Sequence, residues 1–369
     1  MPKRTGTNLL VFALMLYLFL LGITGMGTGT KMLGKDFAEG VMQTIRSPFA
    51  GLLVGLLATS IVQSSSLTTS ITVGMVGSGT ISIGLAIPVI MGANIGTTVT
   101  NILVSMGAIR RREEFRRCFS AAVVHDIFNL IAVLILFPLQ WRFNVLGRLA
   151  EGAAHLFAGA EVGLKFTSPL KAITKPVIHL LHDAFEQIFP GDISAGVALI
   201  VVSVVMLFVG LKYMTASMKT LLMTRVETFF GKTIFKTWAR AMVFGLLLTA
   251  LVQSSSVTTS LIVPLVGAGV LNLVQIFPYT LGANVGTTVT ALLAAFATGS
   301  VAAVTVAFAH LIFNLLGIAI IFPVPAVRRI PIRLANLLAS TSLKNRFLPI
   351  LYVLLIFFGL PILGVLLTR

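Results

Sequence analysis

Gln63-Ser64-Ser65-Ser66 recurs as Gln253-Ser254-Ser255-Ser256, and each copy sits in the middle of a long stretch without a charged residue. Serine and glutamine supply hydroxyl and amide donors together with neutral oxygen acceptors. A serine can cap the half-helix that follows it, and the start of that helix adds free N–H groups and the positive end of its dipole. Two such tips converging make a site for a tetrahedral oxyanion without a buried Arg or Lys, and phosphate suits it well. An isolated serine triplet more often lets helices pack closely, but duplication of the whole cluster argues for a substrate site.

A second pair of runs, Gly92-Ala93-Asn94-Ile95-Gly96-Thr97-Thr98 and Gly282-Ala283-Asn284-Val285-Gly286-Thr287-Thr288, reads as two further helix breaks. There glycine lets carbonyls turn inward while Asn and Thr add neutral oxygens, which is the ligand set a dehydrated sodium ion requires. A plain glycine kink is the alternative. Sodium is favoured over a proton as coupling ion because the two halves share no carboxylate. Asp126 is the single acid inside an expected span, and intramembrane acids are functional by default, so it is expected to face the site or an ion path. His125 with Asn129, and His310 with Asn314, lie one helical turn apart and are expected to form interhelical hydrogen bonds.

Composition places these clusters at membrane depth. Of 369 residues, 57% are hydrophobic and 10% charged, and the mean hydropathy is +1.01, more apolar than a soluble core requires. Residues 47–109 and 241–327 contain no Lys, Arg, Asp or Glu, each long enough for several spans of about 20 residues. The net charge of +16 is gathered at Lys3 and Arg4, Arg110 to Arg117, Lys212 to Arg240 and Arg328 to Arg346. Placing these four clusters in the cytoplasm satisfies the positive-inside bias and puts the N-terminus there too. No basic face of a soluble domain is left to bind nucleic acid. Leu9 to Gly25 reads as a retained first span, and the single cysteine, Cys118, excludes an internal disulfide. With no G-x-S-x-G elbow at either serine cluster, and no earlier glycine before Gly231-Lys232-Thr233 to make a P-loop, neither an enzyme nor an ATP-driven pump is expected.

The duplication extends beyond the serines. Residues 61–70 match 251–260 at eight of ten positions, and 88–100 match 278–290 at nine of thirteen, both at an offset of 190. The expected fold is an all-α polytopic membrane protein built from two repeats with re-entrant helical hairpins and broken helices. Repeat 1 covers 1–141, an extracytoplasmic connector 142–193, repeat 2 covers 194–346, and an extra span fills 347–369. The charge map runs the first span outward and its counterpart inward, so the repeats are expected to be inverted.

The duplicated Gln-Ser-Ser-Ser, the Met91 to Thr98 run, Glu114-Phe115-Arg116-Arg117, Val124 to Asn129 and Leu281 to Asn284 closely resemble the type II sodium/phosphate cotransporters. The resemblance implies sodium-driven uptake of inorganic phosphate by alternating access. It implies phosphate contacts at Ser64, Ser65, Ser66, Ser254, Ser255 and Ser256. For sodium it implies Gln63, Thr68, Asn94, Thr97, Asp126, Gln253, Thr258, Asn284 and Thr287, with sodium as coupling ion and no other cofactor. Asp126 stands where electrogenic members of the family carry Asp, although Ser120 replaces their usual Ala. The connector has neither the cysteines nor the N-x-S/T sequon of animal members, which implies a short, bacterial-type protein of the inner membrane. Its Ile178, Leu181, Phe185, Ile188 and Phe189 could form an amphipathic helix on the outer surface or a packing element. Homo-oligomerisation is left open, as are transport of another oxyanion and an uncoupled anion channel.

Overall fold

The computed structural model describes residues 2–34, 39–40, 45, 47–159, 169–229, 234–345 and 347–368. Arg46, Lys232, Arg346 and the middle of the connector lie outside the described residues. Before the connector come α1 (Pro2–Met32), α2 (Pro48–Val62), α3 (Ser65–Ser78), α4 (Ile83–Gly96), α5 (Val99–Met106) and α6 (Arg112–Phe143). The connector holds α7 (Val145–Gly159) and α8 (Pro169–Ile188). After it come α9 (Asp192–Phe229), α10 (Trp238–Val252), α11 (Ser255–Ser260), α12 (Val263–Gly267), α13 (Leu273–Thr298), α14 (Val301–Ile321) and α15 (Pro325–Ser342). The chain finishes with α16 (Leu348–Val353), a π turn (Leu354–Gly359) and α17 (Leu360–Leu367). Among the described residues there is no strand, and seven helical stretches are long and apolar enough to cross a membrane. The protein is an all-α, multi-pass membrane protein.

Two apolar helices stop short of spanning. α2 and α10 each have 15 residues, about 22 Å against a hydrocarbon core of about 30 Å. Ser47 and Thr237 cap their starts through the amides of Ala50 and Arg240. Their ends, Gln63 and Gln253, are left-handed at φ 55 and 60, a conformation that turns the chain sharply.

Close glycine contacts fix how the helices run. A Cβ on Gly51 would lie 3.2 Å from the Leu85 carbonyl oxygen, one on Gly55 would lie 1.9 Å from that of Val89, and one on Gly96 would lie 2.8 Å from that of Leu56. Contacts rising together along both helices make α2 and α4 parallel, so α3 between them returns the chain to the side where α2 entered. Gly245 against Tyr279 at 2.2 Å, and Gly282 against Met242 at 1.9 Å, repeat this crossing for α10 and α13. Between α1 and α9 the order is opposite. Gly22 meets Ser203, Gly29 meets Gly196, and Gly210 meets Met15, so these two helices pack antiparallel with their backbones nearly touching.

The connector helix α8 packs on the first span. Thr24 and Thr174 hydroxyls are 2.9 Å apart, Tyr17 donates to the Ile173 carbonyl at 3.3 Å, and Ile178 is buried beside Gly25. Of the two sequence-based expectations for this segment, packing is the one observed. Basic α15 lies along α6.

Candidate functional site

The three serines of each tip divide their work in the same way. The first caps: Ser64 Oγ accepts from the Leu67 amide at 3.2 Å, and Ser254 Oγ from Val257 at 3.4 Å. The third reaches across the molecule. Ser66 Oγ donates to the Gln253 carbonyl at 3.1 Å and Ser256 Oγ to the Thr97 carbonyl at 3.4 Å. The second, Ser65 or Ser255, is 3% exposed, and its hydroxyl has no hydrogen-bond partner among the described residues. The two tips therefore touch, and each holds out one uncommitted hydroxyl at the start of a helix.

Threonines line the same region. Thr100 donates to Gln63 Oε1 at 3.4 Å and Thr290 to Gln253 Oε1 at 2.7 Å, one such bond in each copy. Thr68, Thr97, Thr258 and Thr287 donate to carbonyls of their own helices at 3.0 to 3.2 Å, which leaves their oxygen lone pairs available to a cation. Thr258 also meets Thr249 at 2.7 Å, and its carbonyl accepts from Tyr279 at 3.0 Å. A cavity of about 330 Å³ opens between the tips and α9. Ser64, Leu67, Gln253, Ser254 and Val257 line one side, and Phe208, Leu211, Lys212, Thr215 and Ala216 the other.

Asn94 and Asn284 belong to a different arrangement. Asn94 Nδ2 donates to Asn314 Oδ1 at 2.8 Å, and His310 Nε2 lies 3.3 Å from Asn94 Oδ1. Reciprocally, Asn284 Nδ2 donates to Asn129 Oδ1 at 2.7 Å and Asn284 Oδ1 pairs with His125 Nε2. Asn129 also donates to the Asn94 carbonyl at 2.9 Å. Each asparagine is clasped by the His–Asn pair of the other copy, which is the interhelical bonding expected of those pairs. Both histidines leave Nδ1 without a partner among the described residues.

Asp126 is fully buried on α6. Its Oδ2 accepts from the Tyr352 hydroxyl on α16, and Oδ1 has no partner among the described residues. It is not among the residues lining the cavity beside the tips. Its contact is with the final span rather than with the tips.

One expected break is absent. The helix is interrupted at Thr97–Thr98, between α4 and α5, but α13 runs unbroken through Gly282 to Thr288. The glycines there serve packing, because a side chain on Gly282 or Gly286 would strike the α10 backbone. Sequence reasoning missed Lys212, Tyr352, Tyr279 and Asn101. Asn101 Nδ2 donates to Thr259 at 2.9 Å, and its counterpart position is Ala291, so no repeat signal could reveal it.

A family model described as Na+/Pi-cotransporter matches residues 18–165 and 206–364. Sodium-dependent phosphate transport protein 2A of Ovis aries is 34% identical over 434 residues, covering 97% of this chain and 68% of the relative. The protein of the same name from Rattus norvegicus is 34% identical with the same coverage. Sodium-dependent phosphate transport protein 2B of Homo sapiens is 30% identical over 424 residues, covering 90% of this chain and 60% of its own length. No solved structure matches.

Proposed function

The chain belongs to the Na+/Pi-cotransporter family, a family of transporters rather than enzymes, and we propose that it imports inorganic phosphate by coupling to inward sodium movement. The observation that carries this is the pair of touching tips, each presenting, from a largely buried serine at a helix N-terminus, a hydroxyl without a protein partner. Such an arrangement offers an oxyanion donors already oriented. Ser64, Ser65, Ser66, Ser254, Ser255 and Ser256 form the phosphate subsite, with the two cap serines lining its approach. Gln63, Gln253, Thr68, Thr97, Thr258 and Thr287 supply neutral oxygens for sodium, and Asn94 and Asn284 hold the two copies in register beside them. Asp126 carries an additional sodium and makes transport electrogenic.

Inverted repeats and alternating access are part of the same reading. The antiparallel packing of α1 on α9 supports inversion, and the return arms after α2 and α10 support re-entrant hairpins. The charge asymmetry supports a cytoplasmic N-terminus in the inner membrane. Uptake of radiolabelled phosphate into proteoliposomes, with an inward sodium gradient against a potassium control, tests the coupling. Uphill accumulation only with sodium, undiminished by sulfate, is expected. Sodium-independent equilibration would instead make the protein a passive anion pathway, and block by sulfate would make it a carrier of oxyanions in general. Asp126→Gly is expected to abolish net charge movement while sparing part of the uptake; unaltered currents would remove the acid from the ion path.

A further inference from the structure

The residues lining the cavity beside the tips carry hydroxyl, amide and apolar side chains with one exception, Lys212. Lys212, exposed on α9, lines the same open pocket of about 330 Å³ as Ser64 of one tip and Ser254 of the other. No acid lines this chamber, and Lys212 takes part in none of the ion pairs among the described residues. Its Nζ rides 5.9 Å from the ring centroids of both Phe208 and Tyr213, at the outer limit of a cation–π contact. Two rings thus steady the head while its three donors stay free. A lysine that merely marked the positive-inside boundary would have no reason to line the same chamber as both cap serines.

We propose that Lys212 is a substrate-positioning residue, the cationic wall of the phosphate chamber, which sets the affinity for the anion before it docks on the tips. This rests on the phosphate reading above and adds a residue that lies outside the duplicated motifs. In a partly wet cavity one charge-assisted contact alters an anion's affinity by about tenfold.

Equilibrium binding of radiolabelled phosphate to the purified full chain, at saturating sodium, tests it. Lys212→Met is expected to raise the Kd about tenfold and Lys212→Arg to restore it to within about twofold. Lys212→Cys labelled with an aminoethyl thiosulfonate, which rebuilds an ammonium at the same reach, is expected to recover binding, whereas a sulfonatoethyl label weakens it further. The buried Cys118 is controlled by labelling the parent protein. The sodium-induced rise in unfolding temperature stays the same throughout. Parent-like binding by Lys212→Met overturns the proposal, as does failure of both the arginine and the aminoethyl label to rescue, which would mark a structural role. If the parent protein binds no phosphate, the phosphate reading itself fails and this inference falls with it.

Discussion

The two Gln-Ser-Ser-Ser tips share their sequence and the division of labour among their serines, yet they stand in different surroundings. Gln63 is exposed, while Gln253 is 4% exposed. Beyond the first tip the return arm α3 is one helix, whereas beyond the second it is broken between Ser260 and Val263. Pro264 occupies the position of Gly74 in the first copy, and it has no N–H for the Ser260 carbonyl. In the crossing helices the order is reversed, with a break at Thr97–Thr98 and none at Thr287–Thr288. Closely matched segments therefore occupy two shapes in one molecule. Residues outside the motif choose between them.

The strongest test of the likeness between the tips is removal of the uncommitted hydroxyls. Ser65→Ala and Ser255→Ala are each expected to lower sodium-driven uptake about a hundredfold, the upper range for a hydrogen bond to a charged group, with no change in unfolding temperature. Loss at one tip only would show that the substrate rests on a single copy. Pro264→Gly gives the second copy the residue of the first and is expected to join α11 to α12. A shift of about 1.4 kcal/mol between the two shapes would slow uptake about tenfold and change thiol labelling of a cysteine placed at Val257. Unaltered uptake and labelling would show that the proline does not hold the break. In the clasps, Asn284→Ala is expected to lower stability by about 2 kcal/mol and Asn94→Ala by somewhat less, because His310 stands 3.3 Å from Asn94 Oδ1, a long contact. Thermal unfolding in detergent measures the difference, and no loss in either variant would mean the clasps are not structural. Smallest is Tyr352→Phe, which keeps the ring and removes the bond to Asp126. It is expected to shift half-activation by sodium about threefold without altering phosphate affinity; an unshifted sodium response would separate the last span from the acid.

Much of the scaffold was legible because local chemistry dictates it. The first expected hairpin appears as α2 and α3 with Gly79 as the closing cap, since Ser-Pro starts a helix and glycine ends one. The extra span likewise follows from where charges are absent. Illegible were features set by partners far along the chain. Whether Thr97 ends a helix depends on Ser256, which donates to its carbonyl from 159 residues away. The glycine of each Gly-Ala-Asn run looked like a kink because its real reason, a backbone about 40 residues earlier, is invisible locally. Asp126 announced itself by charge, but Tyr352 is one aromatic in an apolar span and gave no signal.

The reciprocal clasps bear on how the protein is made. His125 and Asn129 find Asn284 only after 155 to 159 further residues, which at about 5–20 residues per second takes the ribosome roughly 8 to 30 seconds. Through that interval the nascent first half holds a histidine and an asparagine in the bilayer without their final partner. A chain truncated before residue 284 leaves His125 without the Asn284 side chain that pairs with it and Asn129 without the donor to its Oδ1.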